Sequence, residues 1–281
     1  MARVEGTNMP INISYILQQF LVFTGCCFTI LTLSFIISKN KLTKKNNYDI
    51  LIYGLFFLMF INTTVNTDVL LSNFFVLLAL RRVMSLHSKK NIKSKLFDAG
   101  FWIAIAALFY FWSILFFLLI PISLFLYQDN NFRHWLIPFV GVAAVFVIAV
   151  ALSVVVYNDF FTIFNAYPAV SFDFSVYNST RYLVAITLLF SFGIWALFFY
   201  INSIKKKERT SRASLKIIVA ATCISFLIIV ISPLKSGSEF LFSFAPLTII
   251  ITNYVEVIEE KWFKNLFLWI MAVVPFVLLL L

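Results

Sequence analysis

Residues 81–128 read RRVMSLHSKKNIKSKLFDAGFWIAIAALFYFWSILFFLLIPISLFLYQ, and the way this stretch is divided decides the fold. Six cations, Arg81, Arg82, Lys89, Lys90, Lys93 and Lys95, lead into an apolar run of 33 residues, 96–128. As one helix that run would be about 50 Å long at 1.5 Å per residue. The hydrocarbon core it would have to span is only about 30 Å thick. Two more basic clusters flank it: Lys39, Lys41, Lys44 and Lys45 on one side, and Lys205, Lys206, Lys207, Arg209, Arg212 and Lys216 on the other. Short loops rich in Lys and Arg stay on the cytoplasmic face. The number of crossings between any two clusters must therefore be even. Residues 134–156 and 180–203 supply two between the second and third clusters, so 96–128 contributes two or none. A hairpin of 97–109 and 111–128 satisfies both length and parity.

The same parity makes 49–62 cross and 67–86 return. The reading is thus all-α: a polytopic transmembrane helical bundle forming a single integral-membrane domain, 1–281. Its ten membrane segments are 12–38, 49–62, 67–86, 97–109, 111–128, 134–156, 180–203, 215–232, 239–257 and 264–281. Two of them, 49–62 and 97–109, are short hairpin arms. Loops 39–48, 86–96 and 204–214 are expected in the cytoplasm and both termini outside. Composition agrees with the class. Of 281 residues 62% are hydrophobic and 12% charged, and the mean hydropathy is +0.97. Soluble domains run at about 45–50% apolar and about 25% charged. A soluble enzyme, a disordered chain and a nucleic-acid-binding module are all excluded. The net charge of +10 becomes a topogenic signal, because nineteen of the 22 Lys and Arg fall on the inner side. Arg3, Arg181 and Lys235 are the exceptions. Met1 to Ile11 has no basic region followed by an apolar core, so it is not a signal peptide. The expectation is a short translocated tail, or a further span preceding this one.

The short arms carry the functional reading. Asp49 to Ile61 makes only about 20 Å of helix and ends in the polar tip Asn62-Thr63-Thr64-Val65-Asn66-Thr67-Asp68. Polar backbone at membrane depth survives when it is buried in protein or faces water, so an outward-facing cavity is expected there. Residues 157–179 form the long external loop. It is read as an interfacial helix plus an extended piece, with Asp159, Asp173 and dense aromatics. Ser232 to Glu239 forms a second external turn leading into a helix that Pro246 should kink. Asp98 is read as capping the start of its helix and Arg82 as reaching the inner interface. Cys26, Cys27 and Cys223 lie in apolar runs and read as small buried hydrophobes, with no disulfide framework. His87 and His134 are placed in cytoplasmic loops. No phosphate-binding glycine loop, nucleophile elbow or metal-ligand spacing is present, so neither a cofactor nor a metal is expected.

Two stretches carry a resemblance. LLSNFFVLLALRRVMSLHSKKNIKSKLFDAGFWIAIAALFYFWSILFFLL, Leu70–Leu119, and SGSEFLFSFAPLTIIITNYVEVIEE, Ser236–Glu260, resemble an uncharacterised family of multi-spanning inner-membrane proteins of flavobacterial-type bacteria. Within them, FDAGFWIAIAALFYFWSILFF and EFLFSFAPLTII are similar to short and late helices of the GT-C integral-membrane glycosyltransferases. The second resemblance implies a polyprenyl-phosphate sugar donor at the outer face, in cell-envelope glycan assembly. It also implies a catalytic acid in the first external loop, where this chain offers Asp68. Arg181 and Lys235 would then neutralise the donor phosphate. Asp159 or Asp173 would be a second acid, and Asn62 and Asn66 would line the substrate site. The expected partners are a membrane lipid or a polyprenyl-phosphate-linked sugar, with no nucleic acid. The alternatives are a transporter or lipid flippase using the same cavity, and a non-catalytic membrane subunit of a larger complex.

Overall fold

The computed structural model describes residues 13–44, 46–127, 131–164, 169–207, 209–233 and 235–280. The tail Met1–Ile11, on which the expectation of a translocated terminus rests, lies outside them. The described residues form helices and turns with no strand. In chain order the α-helices are α1 (Ile13–Asn40), α2 (Tyr48–Met59), α3 (Asn62–Val65), α4 (Thr67–Ser85), α5 (Ile92–Phe109), α6 (Leu119–Leu126), α7 (Phe132–Tyr157), α8 (Thr180–Ile204), α9 (Arg209–Ile231), α10 (Leu241–Val257) and α11 (Lys261–Leu280). Seven of the described helices are long and apolar enough to cross a bilayer. They are α1, α4, α7, α8, α9, α10 and α11, while α2 and the stretch Phe111–Leu126 are apolar but shorter.

The bundle is layered around α10. Its sequence, LFSFAPLTIIITNYVEV, is apolar on every side, the pattern of a helix enclosed by other helices, and every residue from Leu241 to Val255 is buried. Helices α2, α8 and α9 pack directly on it. Pro246 lies inside this helix and withholds the N–H that the Phe242 carbonyl would otherwise accept. The outer helices turn large apolar side chains outward: Phe20, Phe23 and Phe28 on α1, Phe146 and Val155 on α7, Trp195 and Phe198 on α8, Trp262 and Trp269 on α11. Soluble proteins do not sustain apolar surface on this scale. A helical bundle with an apolar exterior is the form of a membrane protein.

Helices α5 and α7 meet through small residues. A Cβ on Gly100 would lie 2.3 Å from the Pro138 carbonyl oxygen, and one on Gly141 would lie 2.5 Å from that of Phe97. The two backbones touch where each helix has a glycine, as in small-residue crossings between membrane helices.

The stretch 81–128 differs from its sequence reading in two ways. First, α5 begins at Ile92, five residues before the expected 97, so this arm is a helix of 18 residues. Lys93 and Lys95 extend it into the polar region, where Lys95 Nζ donates to the Ser85 carbonyl at 2.7 Å and to Ser88 Oγ at 2.6 Å. Asp98 therefore lies in the second turn and does not cap the helix. It pairs with Arg82, Nε to Oδ2 at 3.0 Å, across the α4–α5 contact. Second, the return leg opens with eight residues of 3-10 helix, Phe111–Leu118, before α6 takes over. Such runs seldom exceed three or four residues. The switch to α-helix comes just ahead of Pro121, which has no N–H to continue either ladder.

Further corrections are local. His134 is in the first turn of α7 and buried, not in a loop. His87 lies in the expected loop, within a 3-10 turn, Leu86–Ser88. The three cysteines are free. Cys26 and Cys27 are half-buried and Cys223 is exposed on its apolar helix face, where lipid rather than protein is the expected neighbour. Where an interfacial helix was expected after α7, the described residues form only the 3-10 turns Thr162–Phe164 and Ser175–Tyr177. Asn158, at φ +54°, ends α7 in the left-handed region, and Asp159 then binds Thr162 in a tight turn. Pro168 falls outside the described residues.

Candidate functional site

The basic loops gather at one end of the bundle. Tyr127 Oη lies 3.4 Å from the Met84 carbonyl and 3.1 Å from Ser214 Oγ, tying the 81–95 and 205–216 clusters together. Each helix that leaves this end delivers its far terminus to the opposite end. The candidate site is built there, from α3, the loop before α8, the first turn of α8 and the turn before α10.

Its centre is the turn Ser236-Gly237-Ser238-Glu239. Gly237 has φ +84°, and a Cβ on it would lie 2.6 Å from Tyr182 Cε1. Both conditions admit glycine alone. The ring of Tyr182 thus lies flush on the turn, and its hydroxyl donates to the Ser236 carbonyl at 2.7 Å. Asn62 closes the arrangement from α3. Its Nδ2 donates to the same carbonyl at 3.0 Å and also bonds to the Tyr182 hydroxyl. The polar tip is therefore clamped across 174 residues of sequence, with Asn62 itself still exposed.

Glu239 is the anchor beneath the turn. Its side chain is buried. The Tyr177 hydroxyl and the Gly237 N–H, at 3.1 Å, donate to Oε1, and Ser236 Oγ donates to Oε2 at 3.4 Å. A buried carboxylate is tolerated only with donors of this kind. Phe60 stacks on Phe240, centroids 4.6 Å apart, and Tyr177 packs against the same ring. Tyr110, at the α5 turn, donates to Ser232 Oγ at 2.8 Å. The neighbouring Trp112 Nε1 donates to the Ala169 carbonyl at 3.0 Å.

The residues expected from sequence take different places in this frame. Arg181 follows the N-cap Ser179 and is half-buried. Its charge acts on the Tyr182 hydroxyl, and Nη2 is fully buried with no hydrogen-bond partner. Lys235 is buried, and its ammonium donates to the carbonyls of Ile229 and Val230, at 2.7 and 2.5 Å, with Phe174 4.8 Å beneath it. It closes the C-terminal end of α9, where carbonyls are left unpaired. Asn66 is the N-cap of α4, accepting from the Val69 N–H at 3.5 Å. Asp68 stands in the first turn of α4, exposed and in no ion pair among the described residues. Asp159 and Asp173 serve their own loop, the first bonded to Thr162 and the second accepting from the Ser175 N–H at 2.9 Å. That bond holds the Asp173 carboxyl below the usual carboxylate range. The structure brings Asn62 and Arg181 to one cluster. It adds Tyr177, Tyr182 and Glu239, which the sequence reading did not select.

An apolar cleft of about 430 Å³ runs between α1 and α4, lined by Leu21, Val22, Phe28, Leu70, Leu71 and Phe74, with Gln18, Thr24 and Thr67 as its polar members. Thr67 adjoins Asp68. Among the described residues no group of three His, Cys, Asp or Glu side chains could hold a metal ion.

No curated protein matches the chain, and no solved structure does. A family model, described as a family of unknown function (DUF6427), matches residues 8–280, nearly the whole length. The chain therefore belongs to the DUF6427 family.

Proposed function

We propose that the chain is a multi-spanning protein of a bacterial inner membrane, with its basic loops in the cytoplasm. In this reading it acts on a polyprenyl-phosphate-linked sugar at the opposite face, as a GT-C-like glycosyltransferase of cell-envelope glycan assembly. The observation that carries the reading is Arg181. One terminal nitrogen of its guanidinium is removed from water with no partner, a costly state for a charged donor. A phosphate oxygen would relieve it through a charge-assisted bond. The apolar cleft beside α4 suits a prenyl chain, and Thr67 in its lining is the sequence neighbour of Asp68.

In the proposed chemistry these residues take the following parts. Asp68 takes the proton from an acceptor hydroxyl. The hydroxyl oxygen attacks the anomeric carbon of the donor sugar. The bond from that carbon to the phosphate oxygen breaks, and the polyprenyl phosphate leaves with the electron pair. Arg181 neutralises the charge that develops on it. The leaving group is a lipid phosphate, so no nucleotide-binding loop is required. Asn62, Tyr182 and Glu239 position the Arg181 turn. Lys235 is a structural cation at the end of α9 in this scheme.

The test is an Asp68→Asn variant expressed in place of the native chain. Loss of a general base reduces turnover by about 10²–10⁴-fold. An altered envelope-glycan profile at normal protein level is expected, and an unchanged profile would exclude the catalytic role.

A further inference from the structure

The opposite, basic end holds a polar cavity, of about 720 Å³, between the end of α1, residues 41–44 and 46–47, and the start of α2. We infer that this cavity binds a ligand joining a primary ammonium to a phosphate, the headgroup chemistry of a phosphatidylethanolamine-type lipid. The inference is independent of the proposed glycosyl transfer.

The cavity presents both charges. Lys41, Lys44 and Asp49 all line it, with the Lys44 ammonium donating to the Glu256 carbonyl at 3.5 Å. Asp49 is only 3% exposed, yet it makes no hydrogen bond or ion pair among the described residues. Its oxygens are not among the fully enclosed unpaired atoms, so a cation entering the cavity can reach them. Neither lysine supplies a partner, since among the described residues no lysine nitrogen comes within 4.0 Å of the carboxylate. A ligand with one charge would satisfy one side only. An ammonium linked to a phosphate meets Asp49 and the lysines together, and Ser34, Ser38 and Asn47 offer neutral hydrogen bonds between them. The site lies where α1 leaves the apolar zone, the level at which lipid headgroups occur.

The rim is built rigidly. Glu256, near the end of α10, accepts the Lys44 N–H at 2.9 and 3.0 Å on its two oxygens and bonds Asn46 Nδ2. Asn253 donates to the Leu42 carbonyl at 3.0 Å. Lys41 closes α1 in a Schellman arrangement, with Leu42 N bonded to the Ile37 carbonyl and Lys41 N to that of Ser38. This places Lys41 at φ +50°, where glycine is the least strained residue. Lys41 thus lines the cavity from a strained, left-handed position.

Native mass spectrometry of the full chain in detergent tests the assignment. The probes are phosphatidylethanolamine, phosphatidylcholine and phosphatidylglycerol with matched acyl chains, and O-phosphoethanolamine as the soluble competitor. Phosphatidylethanolamine should be retained at least about tenfold over the other two, the size of one charge-assisted bond. Asp49→Asn should erase the preference. Lys41→Gly should raise the melting temperature by relieving the left-handed strain while weakening retention, a combination that a purely structural lysine would not give. Displacement of the lipid by O-phosphoethanolamine at equal concentration would assign the site to a soluble ligand of the same chemistry. Equal retention of the three lipids, or a preference that survives Asp49→Asn, would overturn the inference.

Discussion

Gly237 is the residue on which the candidate site turns. Its φ of +84° and the Tyr182 ring against it leave no room for a side chain. Gly237→Ala should destabilise the protein by about 1–2 kcal/mol from the left-handed backbone alone, and more if the ring is displaced. Thermal unfolding in detergent measures it, and an unchanged midpoint would refute the packing. Tyr182→Phe removes a single hydroxyl that bonds both Asn62 and the Ser236 carbonyl. It should lower stability by about 1 kcal/mol and speed hydrogen exchange in the 62–66 segment, whereas exchange equal to wild type would show that Asn62 does not depend on Tyr182. At this scale sequence was informative about Arg181, because an isolated cation on the sparsely charged face is conspicuous. It was silent about Glu239 and Tyr177. Their meeting requires two loops 62 residues apart to fold onto each other, and neither residue has a local pattern that announces it. Lys235 shows the converse. Its isolation in sequence suggested a ligand, but the carbonyls at the end of α9 take up its ammonium.

Among the elements, the α5–α7 crossing makes the sharpest claim. Gly100 and Gly141 each face the other helix's backbone at less than van der Waals distance for a Cβ. Gly141→Leu should force the helices apart and cost about 1–3 kcal/mol or more, the range for overpacking. Gly54, where a Cβ would meet nothing within 4 Å, provides the control, and Gly54→Ala should be nearly neutral or stabilising. Equal melting temperatures for Gly141→Leu and wild type would mean that the helices do not cross there. The division of 97–128 into two pieces at Tyr110 was legible from its length. The helix start was not. Lys93 and Lys95 look like loop residues in a composition count, but their long side chains let a helix run into the polar layer. The 3-10 stretch Phe111–Leu118 likewise has no composition signature beyond the approach of Pro121.

For the molecule as a whole, the charge asymmetry and the contacts concur on two ends, one basic and one nearly free of cations. The apolar sequence made the membrane-type bundle legible from composition alone, whereas the burial of α10 needed the assembled helices. A two-sided labelling experiment places the ends. A cysteine introduced at Asp68, with the three native cysteines replaced, should react with an impermeant reagent from the periplasmic side, and one at Ser88 should not. The reverse pattern would invert the topology. The most direct measurement of the central claim uses the purified chain in lipid nanodiscs with a polyprenyl-phosphate-linked sugar. Wild type should bind the donor. Arg181→Gln should weaken binding by about tenfold or more, as expected for the loss of a charge-assisted contact. Asp68→Asn should bind it as wild type does yet transfer no sugar. Donor binding unaffected by Arg181→Gln, or sugar transfer undiminished in Asp68→Asn, would contradict the account.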